Sequence, residues 1–179
     1  MLKEIVCAGF GGQGVLTAGK LLIYAAYKRG EKVTWFPSYG NEMRGGAANC
    51  NVVISDEKIA SPYCDHPDVL IALNELSLLK FQDSMKPGGQ LFINTSLIDE
   101  SKVTRDDVEI FRAPVTDLAI SLGNERAANI CMLGYYCKKT GFFTEKEFAD
   151  SMCEYFEESG KGKFNAKNVE AFSAGFALE

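Results

Sequence analysis

The sequence predicts an α/β fold: a mostly parallel sheet with helices on both faces, followed by a helical C-terminal third. Three observations predict it. Short runs of β-branched and apolar residues alternate with glycine-bearing turns and with helical periodicity. Glycines stand directly between the first such run and the first helix. From Val115 onward, apolar residues recur at helical spacing with few interruptions.

The elements follow in order. Ile5, Val6, Cys7 and Ala8 form a short apolar run that reads as a buried strand over 3–8, and glycines follow at once. Residues 15–29 place Val15, Leu16, Leu22, Ala25 and Ala26 on or near one helical face, with Gly30 as the stop. Strands are expected over 32–36 and 47–55, with a polar, glycine-rich loop over 37–46 between them and an edge return at Ile59–Ala60. A further apolar run covers 68–73 and leads into a helix over 75–85. Lys86-Pro87-Gly88-Gly89 is a turn, and strands follow over 91–94 and 108–112. Helices are expected over 115–122, 125–139, 144–158 and 166–176, the last set apart by a linker-like Ser159-Gly160-Lys161-Gly162-Lys163.

Length and composition bound the function. The chain has 179 residues, 46% of them hydrophobic, which suits one domain over 1–179 with its own core. The balance of 19 basic to 24 acidic residues, a net of −5, argues against nucleic acid as a partner. No apolar stretch approaches the roughly 18 residues a membrane span needs, and no basic segment precedes an apolar run at the start, so a cytoplasmic protein is expected. The six cysteines, at positions 7, 50, 64, 131, 137 and 153, include no Cys-x-x-Cys pair. They read as reduced, mostly buried thiols rather than as ligands of a zinc ion or an iron–sulfur cluster, and no metal is expected on this chain. The single histidine, His66, has no motif carboxylate or cysteine beside it and reads as structural. Val169, Phe172 and Phe176 read as a helical packing stripe.

In an open α/β sheet, ligands bind beyond the carboxyl ends of the strands. The first such end carries Gly9, Gly11, Gly12, Gln13 and Gly14, which satisfy G-x-G-x-x-G. Glycines there permit positive φ and close backbone approach, and the following helix offers free N–H groups to an anion. A dinucleotide site also needs an acid at the end of the second strand, and that strand ends in Trp35-Phe36-Pro37. No Lys follows the last motif glycine directly, so the motif is not a nucleotide P-loop. The glycines therefore suit close packing, or approach by another chain. The second such end carries Ser38, Tyr39, Gly40, Asn41, Glu42, Met43, Arg44, Gly45 and Gly46. The Arg44 guanidinium can take a carboxylate or phosphate bidentately, and Glu42 can orient it. Asn74, Glu75, Asn94, Thr95 and Ser96 fall at later strand ends on the same predicted edge.

Several of these segments together resemble a known family. They are Gly9-Phe10-Gly11-Gly12-Gln13-Gly14, then Phe36-Pro37-Ser38-Tyr39-Gly40, Glu42-Met43-Arg44-Gly45-Gly46, Asn49-Cys50 and Pro67-Asp68. The stretches Gly123–Asn129 and Asn168–Phe172 extend the likeness over nearly the whole chain. The pattern resembles the gamma subunit of the 2-oxoacid:ferredoxin oxidoreductases. The stretch from Glu42 to Cys50 looks closest to the 2-oxoglutarate branch, with the pyruvate, branched-chain 2-oxoacid and indolepyruvate branches close to it. Asn41 departs from the family, which usually has Pro there; Asn can also turn the chain.

The resemblance implies a Rossmann-like unit within a multi-subunit enzyme that decarboxylates a 2-oxoacid, forms an acyl-CoA and reduces ferredoxin. It implies alpha, beta and delta-type partner chains that carry thiamine diphosphate, Mg and four-iron, four-sulfur clusters, with coenzyme A as co-substrate and no cofactor bound by this chain alone. It also implies that an isolated chain is inactive and can self-associate through the surface its partners would cover. Arg44 and Glu42 would act in support of the active site, with Ser38, Tyr39, Gly40, Asn41, Gly45, Gly46 and Asn49 forming a substrate, coenzyme A or interface loop. Two rivals stand beside this reading: a stand-alone dinucleotide-binding oxidoreductase, and a purely structural scaffold subunit.

Overall fold

The computed structural model describes residues 1–38 and 47–179. Six strands form one sheet in the order β2-β3-β1-β4-β5-β6. They are β1 (Leu2–Phe10), β2 (Lys32–Ser38), β3 (Ala47–Ser55), β4 (Val69–Ala72), β5 (Gln90–Asn94) and β6 (Glu109–Ala113). β1 pairs in parallel with β4, β4 with β5, and β5 with β6. β3 runs antiparallel to both β1 and β2. Five strands therefore point one way, as the sequence predicts, and β3 alone is reversed. The reversal lets β2 and β3 join without a helical crossover.

The central strands are buried on both sides because their side chains alternate between two cores. Ile5 and Cys7 of β1 join the larger core; Val6 and Ala8 join the smaller. The larger core lies under α1 (Val15–Lys28), α3 (Val115–Ser121), α4 (Ala128–Thr140), α5 (Glu145–Glu158) and α6 (Asn165–Phe176). Among the described residues, the other face carries one short α-helix, α2 (Glu75–Phe81), with Leu78 buried in the smaller core. Helices thus occupy both faces, but unequally. The Ile59–Ala60 return expected from sequence does not form. The segment from Asp56 to Asp68 holds two prolines, which cannot donate to a ladder, and it instead lays Ile59 and Cys64 over the thinner core.

Local chemistry explains the helix boundaries. Gly14, with φ of 72°, turns the chain into α1, and Gly30, with φ of 88°, follows its end. The buried face of α1 is Val15, Ala18, Leu21, Leu22, Ala25 and Ala26, the spacing of one helical stripe. Asn74 caps α2 through the Ser77 N–H. Thr144 and Glu147 form a reciprocal capping box on α5. Residues from Ala128 to Cys137 are all buried, so α4 is the central helix of the thicker layer. It crosses α6 at Gly134 and Gly175. A Cβ at Gly134 would overlap the Phe172 carbonyl oxygen, and one at Gly175 the Cys131 carbonyl oxygen. Phe172 is buried and stacks on Phe148 at 5.0 Å between ring centroids, as a packing stripe should. Ser159–Lys163 is not a linker: it turns tightly from α5 toward α6, with the Lys161 N–H donating to the Phe156 carbonyl at 2.7 Å.

Candidate functional site

The parallel strands bring the carboxyl ends of β1, β4, β5 and β6 to one edge, and there the structure joins residues far apart in sequence. Gln13 Oε1 accepts from the Phe10 N–H at 2.6 Å and from Asn74 Nδ2 at 3.0 Å. Gln13 Nε2 donates to the Leu73 carbonyl at 3.3 Å. Asn94 is fully buried; its Nδ2 donates to the same carbonyl at 3.1 Å and to Thr116 Oγ1 at 2.9 Å. The glycine loop is thus tied to the residues that follow β4, and through the shared Leu73 carbonyl to Asn94 of β5. Gly9 is required by this arrangement, because a Cβ there would stand 2.7 Å from Gln13 Oε1 and 2.8 Å from Val15 Cγ1. Gly14 leaves room for the Asn129 amide, whose Nδ2 donates to the Gly14 carbonyl at 3.0 Å. Gly12 has φ of 100° and open space where a Cβ would stand, and Gly11 is exposed.

The chain re-enters the sheet after the second predicted loop beside the first loop, having left it one strand farther out. Phe10 pairs with Ala47, Gly9 with Ala48 and Ala8 with Asn49, while Ser38 pairs with Asn49 from the other side. Ser38 is exposed and Asn49 is 5% exposed. Tyr39, Gly40, Asn41, Glu42, Met43, Arg44, Gly45 and Gly46 lie outside the described residues. The reversed strand also separates β1 from β2 by two ladder spacings, about 9–10 Å. In a dinucleotide fold the glycine loop and the ribose-binding acid stand on adjacent strands. Here β2 is neither adjacent nor acid-tipped in its described part, which weighs against the dinucleotide rival.

All six cysteines are free thiols, five of them buried. Cys7 and Cys50 face each other across β1 and β3, and Cys50 Sγ donates to the Val15 carbonyl at 3.4 Å. The contact with Cys50, with burial, holds the Cys7 thiol well above the ordinary range. Burial pushes Cys64 up to about 12 and Cys131 up to about 11. Such thiols are inert packing groups. His66 Nδ1 meets the Ser84 carbonyl at 3.1 Å, a loop contact as the sequence suggests. Among the described residues, no three His, Cys, Asp or Glu side chains converge as ligands for one ion. They therefore do not fit a metal or cluster, and cofactor chemistry is not assigned to them. Among the described residues no helix is long and apolar enough to cross a membrane.

The amide network of Gln13, Asn74 and Asn94 contains no titratable group. It can hold a surface rigid and present backbone N–H groups, but it cannot transfer a proton. Sequence reasoning missed a cavity of about 360 Å³ beside Gly14, lined also by Arg126, Asn129, Lys161, Lys167 and Asn168. Its signal was available: both Gly123–Asn129 and Asn168–Phe172 carry the family likeness, but their joint position depends on how α4 and α6 pack.

The comparisons agree with this architecture. Residues 4–178 match the family model described as pyruvate ferredoxin/flavodoxin oxidoreductase. The ketoisovalerate oxidoreductase subunit VorA of Methanothermobacter marburgensis is 41% identical over 174 residues, which cover 96% of this chain and 35% of that protein. The chain thus spans about a third of the length of that relative. The gamma subunit of the keto/oxoacid ferredoxin oxidoreductase of Geobacter sulfurreducens superposes with a TM-score of 0.81 at 29% identity, covering 97% of this chain and 96% of that one. The 2-oxoglutarate:ferredoxin oxidoreductase of Magnetococcus marinus, solved with 2-oxoglutarate, coenzyme A and succinyl-CoA bound, gives a TM-score of 0.86 at 26% identity, over 98% of this chain and 30% of that one. Near full-length agreement of this chain in both sequence and superposition has one reading: the chain belongs to the pyruvate ferredoxin/flavodoxin oxidoreductase family, in its gamma-subunit form.

Proposed function

We propose that this chain serves as the gamma subunit of a cytoplasmic 2-oxoacid:ferredoxin oxidoreductase complex. The complex oxidatively decarboxylates a 2-oxoacid to an acyl-CoA and passes the electrons to ferredoxin. Thiamine diphosphate, Mg and four-iron, four-sulfur clusters reside on the alpha, beta and delta-type partners. The supporting observation is the pairing of Phe10 with Ala47, the residue that follows the Tyr39–Gly46 stretch in sequence, at the start of the Gly9–Gly14 loop. The Gln13–Asn74–Asn94 amide network on that edge is held by hydrogen bonds and contains no titratable group. It suits a subunit that closes another chain's active site rather than one that runs the chemistry itself. In this reading the Arg44 guanidinium holds an anionic group of the substrate or coenzyme A, and Glu42 orients it.

On substrate, the stretch from Glu42 to Cys50 favours 2-oxoglutarate, and the Magnetococcus neighbour is named for that acid. Ketoisovalerate is the second reading, favoured by the 41% identity to a subunit named for it. An anaerobic native pull-down, followed by viologen reduction with 2-oxoglutarate, ketoisovalerate and pyruvate, tests both readings. Co-purifying partner chains and coenzyme A-dependent reduction are expected, with Arg44→Ala lowering turnover while the complex still assembles. A chain that comes down alone overturns the complex. Full activity of Arg44→Ala overturns the assigned role and leaves a scaffold. Spectral titration of the isolated chain with nicotinamide and flavin dinucleotides should show no saturable binding.

A further inference from the structure

β2 is an outer strand of the sheet, and its edge has a definite hydrogen-bonding pattern. Pro37 has no N–H and pairs with Cys50 of β3, so that pair is one of the wide, non-hydrogen-bonded ones. Alternation along the ladder then turns the backbone groups of Lys32, Thr34, Phe36 and Ser38 toward β3, and those of Val33, Trp35 and Pro37 outward. Among the described residues, no other strand, turn or loop backbone bonds to those outward groups. The opposite edge differs: there the Arg112 guanidinium donates to the Ile110 carbonyl of its own strand at 3.2 Å. β2 thus presents the Val33 and Trp35 N–H groups, each with its own carbonyl beside it, and Pro37 ends the run.

The surroundings of this edge are open and rich in aromatic rings. On the α1 side, Tyr24, Tyr27, Trp35 and Tyr155 line a cavity of about 410 Å³. A second cavity, of about 500 Å³, runs from Tyr27 past Val33 and Thr34 to Ile59. Tyr27 is 66% exposed. Val33 and Trp35 turn their side chains to the larger core, so Lys32, Thr34 and Phe36 face the other way. On that second face Phe36 and Tyr63, both exposed, pack with ring centroids 4.8 Å apart. The strand therefore carries a cation at one end and an exposed aromatic pair at the other, on the same face.

We propose that the outer edge of β2 binds β2 of a second copy of this chain, antiparallel, about a two-fold axis through Thr34. That register sets Val33 opposite Trp35 of the second copy, and Trp35 opposite its Val33. Each outward N–H then meets a carbonyl of the other copy, and no donor is left over. It also sets Lys32 opposite Phe36 of the second copy at both ends, cation against ring. A strand with this polarity is complementary in charge to an antiparallel copy of itself. Neighbouring registers fit less well. An axis through Val33 needs the Glu31 N–H, which is already given to the Ala26 carbonyl at 3.2 Å. An axis through Trp35 opposes Val33 with Pro37, which has no N–H to return. The two-fold axis closes the assembly, because each copy uses its β2 edge on the other.

Sedimentation equilibrium of the full chain tests the proposal without partner chains, so its failure is separable from that of the complex. A concentration-dependent dimer is expected at micromolar concentration. Val33→Pro removes an outward donor from each copy and touches no bond to β3, so it should weaken the dimer at least tenfold while the far-ultraviolet dichroism stays unchanged. Tyr27→Glu, on α1 and outside the ladder, should weaken it as well. Mild oxidation then reads the register, in a Cys153→Ser background. Thr34→Cys should form a disulfide between copies, because wide pairs hold their Cα atoms about 4.5 Å apart. Lys32→Cys should not, because its counterpart stands about 13 Å away along the strand. A chain that stays monomeric at millimolar concentration, a folded Val33→Pro protein that dimerises as tightly as the native one, or equal cross-linking of the two thiol variants would each overturn the proposal. Should Val33→Pro fail to fold, the contrast between the thiol variants decides alone.

Discussion

Gln13 and Asn94 donate to one and the same oxygen, the Leu73 carbonyl, at 3.3 and 3.1 Å. A loop after the first strand and a side chain ending the fifth are thereby held at a fixed separation by the strand between them. Asn94→Ala removes a buried donor and leaves part of this network unmatched. It should cost about 1–3 kcal/mol, read from urea unfolding.

The same bracket couples Gly9 to Gln13. Gly9→Ala pushes against Gln13 Oε1, so its cost should fall when Gln13 is already Ala. A double-mutant cycle on unfolding free energy measures this directly, and strictly additive costs would show that the two do not act together.

The crossing of α4 and α6 tolerates no side chain at its two glycines. Gly134→Ala and Gly175→Ala each meet backbone atoms, which cannot swing aside as a flexible side chain can. Each should destabilise by about 1–3 kcal/mol or more, despite the helix propensity gained over glycine. Thermal unfolding checks it, and a stabilised Gly175→Ala protein would refute the close approach.

The capping box of α5 predicts a smaller loss. Thr144→Ala removes the acceptor for the Glu147 N–H and should cost about 1 kcal/mol. Thr144→Ser should recover most of it in the same unfolding assay.

The buried thiols predict a dependence on alkaline pH. Cys131 and Cys64 hold their protons to about 11 and about 12 in the folded chain. Unfolded, they would lose them near about 8.5. Above that value the native state binds more protons than the unfolded one, so stability falls as pH rises, by at most about 1.4 kcal/mol per pH unit for each thiol. Cys131→Ala should make the decline shallower. At pH 8 iodoacetamide should modify the half-buried Cys153 first, with mass spectrometry locating the adduct.

Much of this fold was legible because its signals are local. The run from Ile5 to Ala8, the glycines after it and the helical periodicity of residues 115–176 each declare themselves within a dozen residues. The reversal of β3 was not legible. Its apolar pattern is the same in either direction, and only the pairing of Lys32 with Ser55 and Leu2 with Ser55 reveals which way it runs. The candidate edge was found from strand ends alone, yet the role of Gln13 was hidden because its partners, Asn74 and Leu73, come from another strand. The cavity at Gly14 was hidden for the same reason. Arg126 and Lys167 become neighbours of Thr17 only once α1, α4 and α6 pack, and the glycine–lysine stretch before α6 looks in sequence like a spacer.

The lone reversed strand has a consequence for how such chains can diversify. A parallel β2–β3 connection would have to travel the length of the sheet and back, and its length would be locked to that journey. Here β2 and β3 are antiparallel neighbours, so the connection between Ser38 and Ala47 has only a short gap to span. Doubling its length would add only about 0.6 kcal/mol of closure entropy. The ladder of β2 with β3, and of β3 with β1, is fixed by residues outside the segment that carries Arg44, so the sequence of that segment is not constrained by any strand register.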